Sequence, residues 1–320
     1  MNLLAIVAAL ALEQWRSFQW RARVERAFVL YARGIERRLN GGTLGQGIVA
    51  TILAIVPPVL VAGLVWVLLA RLHPALGLLF NVLVLYALMG FRRFSHAISA
   101  IIAALKTGDL VDARRALAGW NGVPTNDLSS QDVARLAIER GLADAYRQVF
   151  AVLFWFVVLP GPVGALLYRA AALLAAQWRG ALPGDDMTVL TRSLQIFGRP
   201  ARILLQALDW IPARLTALSF AVVGDFEDAV YCWRTQAHAW PEAYGGPGMG
   251  AVLASGAGAL GVQLGGSLPG YGGQADARPE IGTGEPVEAE ILPSAVGLVW
   301  RALVLWLLLV FLLSLANWAP

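Results

Sequence analysis

The stretch GIVATILAIVPPVLVAGLVWVLLA, residues 47–70, decides the fold of this chain. It contains no charged residue, and as a helix rising about 1.5 Å per residue it is long enough to cross the roughly 30 Å hydrocarbon layer of a membrane. The pair Pro57 and Pro58 predicts a kink, which a membrane helix tolerates when its neighbours satisfy the freed carbonyls. A second apolar run at 75–90 follows the short connection RLHP at 71–74. The sequence therefore predicts a transmembrane hairpin.

The composition of the whole chain excludes a water-soluble globule. Of its 320 residues, 58% are apolar and 14% are charged, whereas soluble proteins have about 25% charged residues. Disorder is excluded as well, because it requires low hydrophobicity and high charge. The net charge of +4 rests almost entirely on arginines that lie beside apolar runs, as the positive-inside rule expects. No nucleic-acid partner is predicted, since no binding motif accompanies the charge.

Apolar and basic segments also flank this hairpin. Residues 2–12 predict a short anchor or half-span, because no basic residue precedes them as in a signal peptide. Residues 13–38 hold seven arginines and predict a basic amphipathic helix. That helix would lie on the cytoplasmic membrane face or pack on the protein's own core, and both alternatives place it inside the cell. Residues 295–315 are almost entirely apolar and predict a C-terminal span.

The middle of the chain divides into a polar part and a broken apolar part. KTGD at 106–109 and SSQD at 129–132 look like helix starts, so two cytoplasmic helices are predicted with a loop at 119–127 between them. The apolar runs 149–159 and 163–176 are then separated by Pro-Gly-Pro. A single span there would place the following arginines outside the cell. A broken or re-entrant helix pair is therefore favoured.

The composition changes again after Trp240. Fourteen glycines fall between positions 245 and 284, followed by several acids, and this predicts a loop and linker rather than a packed helix. GAGALG at 256–261 matches the dinucleotide-binding fingerprint, but the expected strand–glycine–helix context is missing. A glycine-rich loop whose N–H groups meet an anion remains as an alternative. Residues 210–223 predict a further short or interfacial element.

These features predict an all-α fold, a polytopic transmembrane helical bundle with cytoplasmic helical segments and a broken or re-entrant helix pair. The predicted segments are 1–46, an N-terminal anchor and basic amphipathic helix; 47–91, the transmembrane hairpin; 92–148, a cytoplasmic helical segment; 149–240, broken membrane helices with cytoplasmic or interfacial helices; 241–293, a Gly-rich loop and acidic linker; and 294–320, the C-terminal transmembrane helix.

Arginines inside apolar segments are the first candidates for a binding site, because a membrane-embedded charge is costly unless it is paired or interfacial. Arg169, Arg214 and Arg301 are of this kind. Each could extend to lipid headgroups, or could anchor a phosphate or carboxylate. The three histidines and the single cysteine lie far apart in the sequence without metal-ligand spacing, so no metal site is predicted.

A series of short motifs lies in order between about residues 100 and 285. They are Ala113-Arg114 with Leu117, Gly122 and Thr125; Ile138-Glu139; Phe154-Trp155; Pro162-x-Gly164-Ala165; Tyr168-Arg169; Phe197-Gly198; Ile211-Pro212-Ala213-Arg214-Leu215; Ala257-Gly258-Ala259-Leu260-Gly261; Tyr271-Gly272; and Ile281-Gly282. In order and spacing they resemble the CobD/CbiB cobalamin-biosynthesis family. The segment LDWIPARL at 208–215, followed by Val223-Gly224, is similar to the AmpE branch, which is described as regulatory.

The resemblance implies a membrane-embedded protein. The enzymes of the family join an amino-alcohol phosphate to the carboxylate of adenosylcobyric acid in an ATP-driven, amide-forming step. On this basis the catalytic candidates are Glu139 and Asp144. The ligand- or phosphate-binding candidates are Tyr168, Arg169, Arg214, Gly258 and Gly261.

Several acids of the family pattern are replaced in this chain. The enzymes carry Gly-Arg-Asp-Thr where 122–125 read GVPT, and Glu-Asn-x-x-Asp where 143–147 read ADAYR. An Asp-Asp pair expected before the Ile-Pro-Ala-Arg motif is Leu205-Gln206, and Ser-Pro-Asn is WPE at 240–242. Phosphoryl transfer relies on carboxylates that hold Mg²⁺. The substitutions therefore predict that the scaffold is retained and the chemistry is lost.

The preferred hypothesis is an integral inner-membrane protein with an AmpE-like regulatory or ligand-binding role. The alternative is an active adenosylcobinamide-phosphate synthase whose acids come from other positions; only this alternative implies ATP and Mg²⁺ as cofactors. A second alternative is a structural assembly component. Membrane lipids and an anionic small molecule are the expected partners, and an oligomer is compatible with the sequence. The protein is expected to be multi-pass, with its main polar segments cytoplasmic.

Overall fold

The computed structural model describes residues 2–15, 20–121, 125–179, 189–269, 275–276 and 278–316. These residues are almost entirely helical, which confirms the predicted all-α class. The helices are α1 Asn2–Trp15, α2 Arg21–Leu39, α3 Leu44–Leu72, α4 Pro74–Leu88, α5 Phe91–Lys106, α6 Leu110–Asn121, α7 Ser130–Ala145, α8 Ala151–Val158, α9 Val163–Gln177, α10 Val189–Phe197, α11 Arg199–Val223, α12 Phe226–Gln236, α13 Gly246–Leu260 and α14 Leu292–Ala316. The short strands are β1 Val262–Gly265, β2 Leu268–Pro269, β3 Ala275–Asp276, β4 Glu280–Ile281 and β5 Glu285–Pro286.

Three helical stretches in the described part of the chain are long and apolar enough to cross a membrane: 44–72, 130–158 and 289–316. The first and third confirm the spans predicted at 47–70 and 295–315. α3 stays helical through Pro57 and Pro58, and α4 packs back against it after the single residue His73, as the predicted hairpin requires. The chain is therefore a polytopic helical membrane protein.

The predicted boundary at 148/149 lies inside one continuous helical stretch, 130–158. α7 begins with the predicted capping box, in which the Ser129 hydroxyl accepts a hydrogen bond from the Asp132 N–H. It then continues through one π-helical turn, Tyr146–Phe150, directly into α8. The two predicted helices are therefore continuous, although the boundary between the compact units, at Tyr146 and Arg147, lies close to the predicted one. The cytoplasmic location of residues 92–148 stays a prediction. In the apolar window of this stretch, 61% of the residues are buried inside the protein, where protein groups replace water as partners of the polar residues of α7.

The predicted broken helix pair is confirmed. α8 ends at Val158, α9 begins at Val163, and the two helices pack against each other. Gly161 makes the reversal with φ +60°, in the left-handed region that glycine enters without strain. The ring of Trp66 in α3 occupies the space that a side chain at Gly161 would need.

The chain forms two compact units, each built from two stretches that are distant in sequence. The first comprises Met1–Met89 and Arg147–Asp209, and the second comprises Gly90–Tyr146 and Trp210–Pro320. In the first unit, α1 packs on α4, while α2 packs on α3 and α9. The basic helix α2 thus packs on the protein's own core, one of its two predicted alternatives. In the second unit, α7 contacts α5, α13 and α14, and α12 packs along α13. The remaining segment boundaries stay predictions.

Two further expectations are wrong. Residues 210–223, predicted to be a short or interfacial element, form the second half of the 25-residue helix α11, which continues through Pro212, so the element is not a short one. The Gly-rich segment begins not as a loop but as the buried helix α13. A Cβ at Gly250 or Gly258 would overlap a backbone carbonyl oxygen of a neighbouring segment of the same chain, at Ala237 and Asp228 respectively. Glycine here permits close helix packing, as it does in many membrane proteins.

Candidate functional site

One face of α7 carries the polar residues from which the candidate site is built. Arg135 and Glu139 are four residues apart and so point to the same side of the helix. Arg135 donates to the Asp132 carboxylate at 2.6 Å and to the carbonyl of Ser267 at 3.1 Å. Glu139, which is 6% exposed, lies one turn further along. This face of α7 therefore meets the segment that follows α13.

A small sheet presents that segment to Glu139. β1 leaves α13 after Gly261 and pairs antiparallel with β4, which sets Gly265 opposite Glu280. Gly265 has φ +76° and donates its N–H to Glu139 Oε1 at 2.8 Å. Arg278, two residues before Glu280, donates from Nη1 to Glu139 Oε2 at 2.6 Å. The Glu139 carboxylate thus connects α7 to the end of β1 and to the residue Arg278 just before β4, both of which are far from α7 in sequence.

Arg278 is itself buried, with 6% of its side chain exposed. Its guanidinium carbon lies 6.0 Å from the ring centre of Trp240 and 5.9 Å from that of Tyr244, within the range of cation–π attraction. Among the described residues, Nε and Nη2 of Arg278 have no hydrogen-bond partner. A buried arginine with two unused N–H donors is costly and uncommon. The sequence signal for Arg278 was its position as a lone basic residue among acids, and it was not taken as a site residue.

Asp144, the other catalytic candidate, has partners of its own. Its Oδ2 accepts hydrogen bonds from Trp120 Nε1 at 2.9 Å and from Arg140 Nε at 3.2 Å. Trp120 belongs to the last turn of α6, where the sequence predicted a loop. Asp144 therefore fastens α6 to α7, and Glu139 fastens α7 to the sheet.

Tyr168 lies in the first unit and is fully buried. Its hydroxyl donates to Asp209 Oδ1 at 2.8 Å, and the indole of Trp155 donates to the carbonyl of Leu208 at 3.1 Å. Asp209 is 4% exposed and stands three residues after Gln206, where an acid was predicted to be missing. Asp209 was not predicted as a site residue, because the family pattern has its acids at positions 205 and 206.

Arg169 forms an ion pair with Glu25 of α2. The pair lies on the wall of a cavity of about 310 Å³ between α2, α3, α4 and α9 of the first unit. The rest of the lining is apolar apart from the Tyr31 hydroxyl, which donates to the Leu53 carbonyl. Arg169 is thus paired within the protein instead of extending to headgroups.

Replacing only Glu25 of the Glu25–Arg169 pair should destabilise the protein more than replacing both residues. In E25L the arginine loses its countercharge in an apolar wall, and we expect the free energy of unfolding to fall by about 2 kcal/mol, less than for a fully buried pair because 26% of the Glu25 side chain is exposed. The double variant E25L/R169L should recover most of that loss. Thermal unfolding of the three proteins in detergent measures the difference, and equal midpoints for single and double variants would contradict it.

The remaining candidates lie at helix surfaces or helix ends. Arg214 donates to the carbonyl of Trp210 at 2.7 Å and its guanidinium stacks on that indole at 4.3 Å. Arg301 reaches only the carbonyl of Gly297 in its own helix, within the described residues. Gly258 lies inside α13, and Gly261 caps it with φ +65°. Gly258 thus lies in a helix rather than a loop, and the N–H groups of a helix interior are used by the helix itself. Ligand binding by Gly258 and Gly261 stays a prediction.

No group of three or more His, Cys, Asp or Glu residues in the described ranges is placed to hold a metal ion. Glu139, Asp144 and Asp209 each accept from protein donors instead. Burial raises the pKa of the Cys232 thiol, which lies 3.8 Å from the Thr283 hydroxyl. A raised pKa keeps the thiol in its protonated, less nucleophilic form at neutral pH.

Comparison with known proteins decides the family. The model of the CobD/Cbib protein family matches residues 4–299. The chain belongs to the CobD/CbiB family. It is 36% identical over 309 residues to cobalamin biosynthesis protein CobD of Stutzerimonas stutzeri, covering 95% of each chain. It is 38% identical to the CobD protein of Chromobacterium violaceum, covering 88% of this chain and 84% of that one.

More distant members of the CobD/CbiB family match as well. Cobalamin biosynthesis protein CbiB of Salmonella typhimurium is 26% identical over 247 residues, which are 75% of this chain and 73% of that protein. No solved structure was found to match the chain. The relatives named here are cobalamin-biosynthesis proteins, so an AmpE-like regulatory role receives no support from them. Of the two main hypotheses, the comparisons favour the synthase alternative.

Proposed function

We propose that this CobD/CbiB protein is an adenosylcobinamide-phosphate synthase, which forms an amide between the carboxylate of adenosylcobyric acid and an amino-alcohol phosphate. The observation that carries the proposal is the 36% identity over 95% of both chains with a cobalamin biosynthesis protein. Identity spread over the full length, rather than confined to one motif, favours a shared activity over a shared scaffold.

Three acids are buried in this chain despite the substitutions in the family pattern. Glu139, Asp144 and Asp209 are all buried, and buried carboxylates are costly unless they have a structural or chemical role. Glu139 has both oxygens engaged, so we assign it as a positioning residue that holds Arg278 and the Gly265 backbone. The chain therefore keeps Glu139 of the family's Ile-Glu motif and carries Asp144 and Asp209 near two of the positions where the family's acids are replaced.

The synthase function implies Mg²⁺ as a cofactor beside ATP. This ion prefers several oxygen ligands in octahedral geometry, whereas no group of three or more acidic, His or Cys side chains in the described ranges is placed to hold a metal ion, and the buried acids Asp144 and Asp209 accept hydrogen bonds from protein donors. The described residues do not fit a Mg²⁺ site, and no step of the proposed reaction is derived through one. In the second unit, Asp144 and Arg278 are the buried charged groups available for the reaction beside the positioning residue Glu139.

The proposal includes a location. Arginines beside the apolar helices favour the inner membrane with the main polar segments in the cytoplasm. Lipids contact the exposed apolar faces, such as the outer residues Leu60, Val61 and Leu64 of α3. The substrates are anionic, which agrees with the predicted anionic small-molecule ligand.

Complementation tests the activity. In a bacterium whose own CobD/CbiB protein is deleted, expression of this chain should restore growth under conditions that require cobalamin synthesis. Membranes from those cells should convert adenosylcobyric acid and ethanolamine phosphate to the amide, identified by mass spectrometry. Failure of both assays, with the protein present in the membrane fraction, would overturn the proposal. An effect of gene deletion on β-lactamase induction, with cobalamin synthesis intact, would support the AmpE-like role instead.

A further inference from the structure

The unused edge of the Arg278 guanidinium identifies a ligand site. The planar guanidinium has three nitrogens, and Nε–H and one Nη2–H point in the same direction along one edge. Glu139 Oε2 accepts a hydrogen bond from Nη1. The two nitrogens without a partner among the described residues are Nε and Nη2. Within the described residues, the unpaired donors of Arg278 therefore form one bidentate edge, Nε–H and Nη2–H, rather than two donors that point in different directions.

Such a fork matches one class of ligand. Two parallel N–H groups of arginine bind the paired oxygens of a carboxylate or phosphate in a bidentate manner. We propose that Arg278 is the receptor for an oxyanion of the substrates, through Nε and Nη2. This rests on the proposed function, which supplies two such oxyanions: the carboxylate of adenosylcobyric acid and the phosphate of the amino alcohol.

The surroundings preorganise the guanidinium for this purpose. Glu139 fixes its Nη1 side, and the rings of Trp240 and Tyr244 lie within about 6 Å of its carbon. With 6% of its side chain exposed, the arginine has little freedom left to lose when a ligand arrives, and this favours binding. The Glu139 charge already balances Arg278, so specificity comes from the directed hydrogen bonds rather than from excess positive charge.

A neighbouring arginine shares the same side of α7. Arg135, four residues before Glu139, also has an Nε without a hydrogen-bond partner in the described ranges. Its Nη2 is engaged by Asp132 and Ser267, so the Asp132 charge balances it. Arg135 is more exposed than Arg278, with 20% of its side chain accessible, and its free donor makes it a secondary contact for the same oxyanion.

The test is the variant R278K. Lysine keeps the positive charge beside Glu139 but has no planar fork. We expect the dissociation constant of one substrate to rise about 10- to 100-fold, since two charged hydrogen bonds are weakened, while the unfolding midpoint stays close to that of the wild type. Binding is measured by isothermal titration of the full-length protein in detergent. R115Q is the matched control, because Arg115 is 72% exposed and its loss should leave binding unchanged.

The probes distinguish the two sources of the oxyanion. Weaker binding of ethanolamine phosphate and of inorganic phosphate would assign the phosphate to Arg278. Weaker binding of adenosylcobyric acid, with no change for its primary amide, would assign the carboxylate. Unchanged affinity of R278K for all four probes would overturn the inference. If R278K fails to fold, the double variant E139Q/R278Q takes its place, because two amides retain a hydrogen bond there without the guanidinium.

The same measurements separate this inference from the proposed function. If amide synthesis is absent but phosphate binding depends on Arg278, the oxyanion site stands and the proposed function falls. If R278K makes the amide with wild-type Michaelis constants for both substrates, the function stands and the oxyanion site falls.

Discussion

The variant E139A is expected to lower the free energy of unfolding by about 3 to 5 kcal/mol, because it leaves the buried Arg278 without its countercharge and the Gly265 N–H without its acceptor. That is a large share of the roughly 5 to 15 kcal/mol that stabilises a folded domain. Thermal unfolding in detergent, followed by circular dichroism, measures the loss. Growth in the complementation assay should be lost as well.

Two companion variants make this result specific. E139Q keeps an acceptor for Gly265 but removes the charge, so its unfolding midpoint should lie between those of E139A and the wild type. D112N breaks the ion pair between Asp112 and Arg115, whose side chains are 54% and 72% exposed respectively. Its free energy of unfolding should fall by no more than about 1 kcal/mol. If E139A unfolded at the same temperature as D112N, the buried pair would carry no stability.

The hairpin and the C-terminal span could be predicted because they depend on one local property. An uncharged apolar run of sufficient length, such as 47–70, must become a membrane helix whatever its neighbours are. The Ser129–Asp132 cap and the Pro-Gly-Pro break are local signals of the same kind, and both are confirmed. Predictions succeeded where a few consecutive residues contain the whole cause.

The span at 130–158 could not be predicted in the same way. The charged residues of α7 lower its mean hydropathy and so indicate a water-exposed helix, whereas Glu139 and Asp144 are buried against partners elsewhere in the chain. Glu139 and Arg278 are 139 residues apart, and no local pattern relates them. Asp209 was missed for a similar reason, because its pairing with Tyr168 across 41 residues exists only in the fold.

The Gly-rich segment shows how composition alone can mislead. In water, glycine in a helix costs up to about 1 kcal/mol relative to alanine, so a run of glycines predicts a loop. In α13 the missing side chains let its backbone approach α12 closely enough to repay that cost. The cause again lies in a neighbouring helix rather than in the run itself.

This interpretation predicts that G258V will be among the most damaging single substitutions in the chain. A Cβ at Gly258 already overlaps the Asp228 carbonyl oxygen, and that oxygen belongs to a helix backbone that cannot turn aside. The two helices must separate, which we expect to cost about 4 kcal/mol or more. Little detergent-extracted protein should then elute as a single species in size-exclusion chromatography.

The matched control for G258V is G297V in α14, where nothing lies within 4 Å of an added Cβ. Valine is a better helix former than glycine, so this variant should unfold within about 1 kcal/mol of the wild type. The pair holds the chemical change constant and alters only the space available. If G258V behaved like G297V, the glycines of α13 would have no packing role, and a ligand-binding role for Gly258 would deserve a new test. If G258V alone fails, the segment that resembles a nucleotide-binding loop is a helix-packing motif, and Arg278 and Arg135 remain the proposed substrate contacts.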